Sequence, residues 1–180
     1  MRILREEVAA VVIDIQERLL PHIHDGDLIL RNCLKLIEGL KILSIPVIMT
    51  QQYTRGLGPT VPALIQMLPE VRHIEKISFS CCEEPAFEKE IALLGKKDII
   101  LCGIESHICV LQTCLDLLAD GKRPVVIEDC VSSRKPNDKH VAIERMRQEG
   151  AFISTTESIL FELTRRAGNE TFKSISGIVK

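Results

Sequence analysis

The chain has 180 residues, 46% of them hydrophobic, which suits one domain with a sizeable core. With 23 Lys+Arg against 25 Asp+Glu, five Phe, one Tyr and no Trp, it lacks the basic surface and the stacking rings of a nucleic-acid binder. The first apolar run, Val8 to Ile13, follows Glu6 and Glu7 and stops at Asp14, so it fits neither a signal segment nor a membrane span and a cytoplasmic protein is expected.

Seven cysteines, at 33, 81, 82, 102, 109, 114 and 130, make an odd count without a C-x-x-C pair, which argues against a disulfide framework. Cys33 and Cys102 sit in apolar runs, where a thiol behaves as a small hydrophobe. The adjacent Cys81 and Cys82 read as part of an ordinary loop, with a redox pair as the rival.

In chain order, Val8 to Ile13 predicts a first buried strand and Asp27 to Leu43 a long helix. Pro46 to Thr50 predicts a second strand, followed by a glycine-rich loop from Gln51 to Pro59 that is too long for a hairpin turn and should border a site. A short helical piece spans Val61 to Leu68, a third strand His73 to Lys76, and a helix Glu84 to Leu94 that stops at Gly95. Ile99 to Cys102 predicts a fourth strand broken by Gly103, after which Ser106 offers an N-cap and Val110, Leu111, Cys114, Leu115 and Leu118 recur at helical spacing. Pro124 to Glu128 is a fifth strand, Asp129 to Pro136 a polar loop, Asn137 to Glu149 a helix, Phe152 to Ser154 a sixth strand and Glu157 to Ala167 a helix. The tail from Gly168 carries no assignment.

This alternation predicts an α/β fold, a six-stranded parallel sheet with helices on both faces, whose ligands bind beyond the strand carboxyl ends. Asp14, Lys76 and Cys109 come from three strand ends on that edge. Cys109 falls in a first helical turn, where free N–H groups and the helix dipole should lower a thiol's pKa; the competing reading is an inert core cysteine. A carboxylate, an ammonium and a thiol can divide acyl-transfer labour between a base, an electrostatic anchor and a nucleophile.

Three segments carry a resemblance: Ile13-Asp14-Ile15-Gln16, Glu75-Lys76-Ile77-Ser78-Phe79-Ser80 and Gly103-Ile104-Glu105-Ser106-His107-Ile108-Cys109. In that order they resemble the signature segments of the isochorismatase-like cysteine hydrolases, and Thr50 to Tyr53 with Gly56 to Pro62 resembles the isochorismatase domain-containing branch. The resemblance implies a catalytic triad of Asp14, Lys76 and Cys109, an oxyanion hole from the backbone N–H groups of Glu105 and Cys109, a nonproline cis bond between Ile104 and Glu105, and a homo-oligomer. Where the nicotinamidase branch carries an Asp-x-His metal motif this chain has Gln51-Gln52-Tyr53, so no metal and no other cofactor is expected. His22 and His24 read as surface residues, and Leu19 replaces an aromatic common in relatives.

The resulting expectation is hydrolysis of a small amide through a Cys109 thioester, with Gln16, Gln51, Tyr53, Phe79 and His107 as substrate-binding candidates. The rivals are hydrolysis of an isochorismate-like enol ether, a non-catalytic oligomeric binding protein, and a thiol redox sensor.

Overall fold

The computed structural model describes residues 2–180. Strand β1 (Val8–Ile13) is six consecutive buried apolar residues, as a strand covered on both faces requires. Strands β2 (Val47–Gln52), β3 (His73–Lys76), β4 (Asp98–Ile104), β5 (Arg123–Ser132) and β6 (Phe152–Ser154) join it in a parallel sheet of order β3-β2-β1-β4-β5-β6. The chain builds outward from β1 to β3 and then returns to lay β4 beside β1. Strand order therefore reverses between β1 and β4, where a doubly wound sheet leaves a crevice at its carboxyl edge.

Period-two alternation divides β1 between two cores. Val8, Ala10 and Val12 pack with residues of α1 (Gly26–Ile42), α3 (Pro62–Met67), α7 (Thr156–Thr164) and α8 (Glu170–Val179), beyond the short α2 (Thr54–Leu57). Ala9, Val11 and Ile13 pack with α4 (Pro85–Leu94), α5 (Leu111–Ala119) and α6 (Pro136–Gln148). Each fully buried Leu or Ile in these layers contributes about 1.5–3 kcal/mol by leaving water.

The structure corrects the sequence reading at three places. Strand β5 runs on to Ser132, because its register slips from Leu101↔Val126 to Gly103↔Val131 and the irregularity absorbs the polar Glu128 and Asp129. The tail forms α8, capped by the Asn169 side chain, which accepts a hydrogen bond from the Phe172 N–H at 2.8 Å, and anchored by buried Ile175. After β4 the chain makes a π turn over Ser106–Val110 before α5 begins, and the Ser106 hydroxyl is buried without capping the segment.

Candidate active site

Asp14 ends β1 in the left-handed region at φ 53°, a conformation that Asp tolerates better than most residues. This single residue breaks the alternation: Ile13 packs in the core of α4, α5 and α6, while Ile15 packs in the opposite core. The twist turns the Asp14 carboxylate toward the Ile13 side, where Thr50 Oγ1 donates to Oδ1 at 2.8 Å and the Lys76 ammonium meets Oδ2 at 2.7 Å.

Thr50 and Gln52 share one face of β2, two residues apart, and Lys76 comes from the end of β3 beside them. The Lys76 ammonium donates to Gln52 Oε1 at 2.6 Å and to the Ser78 and Phe79 carbonyls at 3.1 and 3.0 Å, so a fully buried charge is surrounded by oxygens. Glu84 fixes the loop that supplies those carbonyls by accepting from the Ile77 and Ser78 N–H groups and from the Ser78 hydroxyl.

Strand β4 delivers the third group. At Gly103, φ 130°, a Cβ would lie 2.7 Å from the Ile13 backbone nitrogen and closer still to its carbonyl oxygen, so glycine lets β4 approach β1 as the chain leaves the sheet. The Ile104–Glu105 peptide is cis. The π turn follows, closed by the Val110 N–H donating to the Glu105 carbonyl at 3.2 Å, and Cys109 lies just ahead of that bond with 6% of its surface exposed. Its thiol faces Asp14, and the charges of Asp14 and Lys76 both act on it.

The electrostatics differ from a helix-dipole thiolate. Burial, and then the charge of Asp14, push the Cys109 thiol well above the ordinary cysteine range, and Lys76 offsets only part of this. Burial also raises the Asp14 carboxyl despite Lys76, Thr50 and Cys109. Burial opposes the Lys76 charge, but Asp14, Cys109 and Cys81 outweigh it and the ammonium binds its proton more tightly than usual. The resting arrangement is therefore a thiol beside a carboxylate–ammonium pair. The expectation of a thiolate prepared by a helix N-terminus is corrected: the turn is π rather than α, and burial with a neighbouring anion wins.

The remaining candidates separate. Tyr53 and Phe79 stay near Lys76, for the Tyr53 N–H donates to the Lys76 carbonyl at 2.9 Å, and both side chains are about half exposed. Gln16 donates both amide hydrogens, to the Gln52 and Gly58 carbonyls at 2.8 and 2.6 Å, which clamps the 53–58 segment to β1. Gln51 points to the opposite sheet face, where its oxygen accepts from the Thr60 N–H and hydroxyl and its nitrogen reaches Thr54, Glu75 and His73. Neither glutamine has a free amide hydrogen bond of the kind a substrate would need, so the structure gives both a loop-holding role. His107 turns toward Ser133 Oγ at 2.9 Å and Asp138 at 4.0 Å.

A cavity of about 560 Å³ opens over the same edge, lined by Arg18, Leu19, His22, Gly56, Leu57, Glu105 and Arg134. Among the described residues, no group of three or more His, Cys, Asp or Glu side chains is arranged to hold a metal ion.

The sequence of these motifs and the sheet that joins them match a known family. A family model described as the Isochorismatase domain covers residues 8–158, a span that includes Asp14, Lys76 and Cys109. The chain belongs to the isochorismatase family. Isochorismatase domain-containing protein 2A of Mus musculus is 39% identical over 180 residues, 99% of this chain and 85% of that protein. The structure of MAR1 ribonuclease from Caenorhabditis elegans superposes with a TM-score of 0.94 at 37% identity, covering 99% of this chain and 92% of that one. The YcaC gene product of Escherichia coli, described as an octameric hydrolase of unknown specificity, superposes with a TM-score of 0.93 at 26% identity over 99% of this chain and 89% of that one. The fold is that of an isochorismatase-family hydrolase.

Two residues of this site were passed over in the sequence. Thr50 and Gln52 contact the Asp14–Lys76 pair directly, whereas the sequence reading singled out Gln51 between them. The signal was the period of two: counting back along β2 from its carboxyl end places Thr50 and Gln52 on one face and Gln51 on the other.

Proposed function

We propose that the protein is a metal-independent cysteine hydrolase that cleaves a small amide C–N bond through a Cys109 thioester. The observation that supports it is the Asp14 carboxylate, held at one oxygen by Thr50 and at the other by Lys76, with the Cys109 thiol beside it. Because the thiol is pushed up, attack requires proton transfer at the moment of reaction, and Asp14, itself raised by burial, is the adjacent base.

In this scheme the Cys109 proton passes to Asp14 as sulfur bonds to the amide carbon. The carbonyl oxygen takes up the electron pair and is received by the backbone N–H groups of Glu105 and Cys109. Collapse breaks the C–N bond, and Asp14 returns the proton to the leaving nitrogen. Asp14 then takes a proton from water as the water oxygen attacks the thioester carbon, and the acid leaves as the sulfur regains a proton. Lys76 holds Asp14 in place throughout and favours its ionised form before each proton is taken up. Tyr53 and Phe79 border the substrate, which is a small molecule.

The chain is further taken as a homo-oligomer, which the octameric Escherichia coli relative supports, and as cytoplasmic. Among the described residues no helix is long and apolar enough to cross a membrane. A ribonuclease reading, after the name of the Caenorhabditis elegans structure, has less support, since the chain has a net charge of −2 and only 3% aromatic residues.

The test is mass spectrometry of protein quenched during turnover of small amides, with ammonia release measured in parallel. An acyl adduct on Cys109, absent together with turnover from Cys109→Ala, is the expected result. Full turnover by Cys109→Ala would transfer the reaction to water activated directly by Asp14, the route that an enol-ether hydrolase could also use.

A further inference from the structure

The cavity over the sheet edge is cationic in a chain whose net charge is −2. Two of its seven lining residues, Arg18 and Arg134, are cations, and Glu105 is the one acid among them. Glu105 is already answered: Arg134 Nε donates to its Oε1 at 2.7 Å. Arg18 has no carboxylate within ion-pair distance among the described residues. Its Nη1 reaches only the Arg55 and Gly56 carbonyls, at 3.5 and 3.3 Å.

Arg18 is also held in place. A Cβ at Gly58 would lie 3.3 Å from its Cγ and 3.6 Å from its Cδ, so the stem lies along the bare backbone of the 55–58 segment. The Arg18 N–H donates to the Leu57 carbonyl at 3.1 Å, tying the base of the residue to that segment as well. A guanidinium fixed at stem and head, with donors left over, is prepared to receive two oxygens of one anion side by side. The half-buried Leu19 and Leu57 give the cavity an apolar wall suited to a short carbon chain. Its volume is in the range of small-molecule sites.

The cavity meets the reacting groups at Glu105, whose backbone N–H is the proposed oxyanion donor and whose side chain lines the wall. We propose that the substrate amide carries a carboxylate remote from the scissile bond, and that Arg18 binds it. This rests on the thioester reading for its chemistry but not for its binding.

The test uses malonamate, succinamate and glutaramate, which place a carboxylate at increasing distance from an amide, and 4-oxopentanamide, which puts a methyl ketone where the succinamate carboxylate would be. Binding is measured by titration calorimetry, turnover by ammonia release and acylation by mass spectrometry, on wild type, Arg18→Gln and Arg18→Lys. At least one amide acid is expected to bind and turn over about tenfold better than the neutral ketone. That preference should fall with added salt, collapse in Arg18→Gln and return in part in Arg18→Lys.

Equal handling of charged and neutral amides, with an adduct on Cys109, would overturn the carboxylate site and leave the thioester reading standing. Arg18-dependent binding of an amide acid without ammonia release or adduct would sustain the site and overturn the thioester reading. Failure of all three acids to bind would overturn the site, as would an RNA trinucleotide that binds through Arg18 where none of them does.

Discussion

The Lys76 ammonium stands 2.7 Å from Asp14 Oδ2 with both side chains shut off from solvent. A buried ion pair adds little net stability, because desolvation cancels most of the attraction, but removing one member strands the other. Lys76→Met should therefore destabilise the fold by about 3–5 kcal/mol in urea titration, and Lys76→Met combined with Asp14→Asn should recover part of that loss. Additive losses in the two single variants would show that the pair does not act as a unit.

The titration of the site follows from the same pair. Asp14 is raised above 3.8 by burial, so kcat/KM should rise with pH along a limb whose midpoint lies above that value. It should then stay level through pH 9.0, the ordinary cysteine value, since Cys109 is held well above it and reacts as a thiol. Lys76 is raised above 10.5, so its stabilising charge is fully present below 10.5 and is lost as pH climbs through the folded value. Asp14 carries the same sign at lower pH: the folded state favours its acid form, so stability falls as pH rises from 3.8 to its folded value. Thr50→Val removes a donor that favours the carboxylate and should move the acid limb to higher pH. A limb centred near pH 9 in wild type would instead indicate that the reaction needs Cys109 ionised beforehand at the ordinary cysteine value.

Gly103 offers a structural test on the same edge. A methyl group there would press on the Ile13 backbone of the neighbouring strand, which cannot rotate away as a side chain could. Gly103→Ala should cost about 3 kcal/mol or more, since overpacking against backbone adds to an unfavourable φ. Denaturation midpoints read this directly. Gly95→Ala, at φ 61° with open space around it, is the control and should cost about 1 kcal/mol from the backbone alone.

The sheet and its carboxyl edge were legible because buried parallel strands leave short apolar runs, which Asp14 and Cys109 follow, while Lys76 closes the short polar edge strand β3. What the sequence hid was the direction of side chains near strand ends. The αL twist at Asp14 reverses the face its neighbours predict, and no propensity marks it beyond the tolerance of Asp for φ > 0. The π turn was hidden for a similar reason: Ser106 and the apolar spacing from Val110 fit an ordinary capped helix, and the extra residue before Leu111 shows only in the backbone. The irregularity in β5 was read as a strand end, since Glu128 and Asp129 are poor strand formers. The role of the exposed Arg18 depends on a cavity formed by segments far apart in the chain, which spacing alone does not reveal.

Replacing Asp14 separates thiol reactivity from turnover. In wild type the Asp14 charge is one of the two largest influences holding the Cys109 proton, after burial, while Lys76 pulls the other way. Asp14→Asn keeps the size of the side chain, removes the anion and leaves Lys76 with the Gln52, Ser78 and Phe79 oxygens. The thiol should then ionise at lower pH, so alkylation of Cys109 by iodoacetamide should be faster in Asp14→Asn than in wild type at the same pH below 9. Hydrolysis should move the other way, because no base remains to activate water against the thioester and no acid to protonate a leaving amine. An activated ester, which needs no such acid, should acylate the variant and accumulate as a Cys109 adduct, with deacylation slowed by about 10²-fold or more. The combination of a more reactive thiol and a stalled thioester is specific to Asp14 acting as the proton carrier. Slower alkylation together with slower hydrolysis would instead mean that Asp14 only shapes the site.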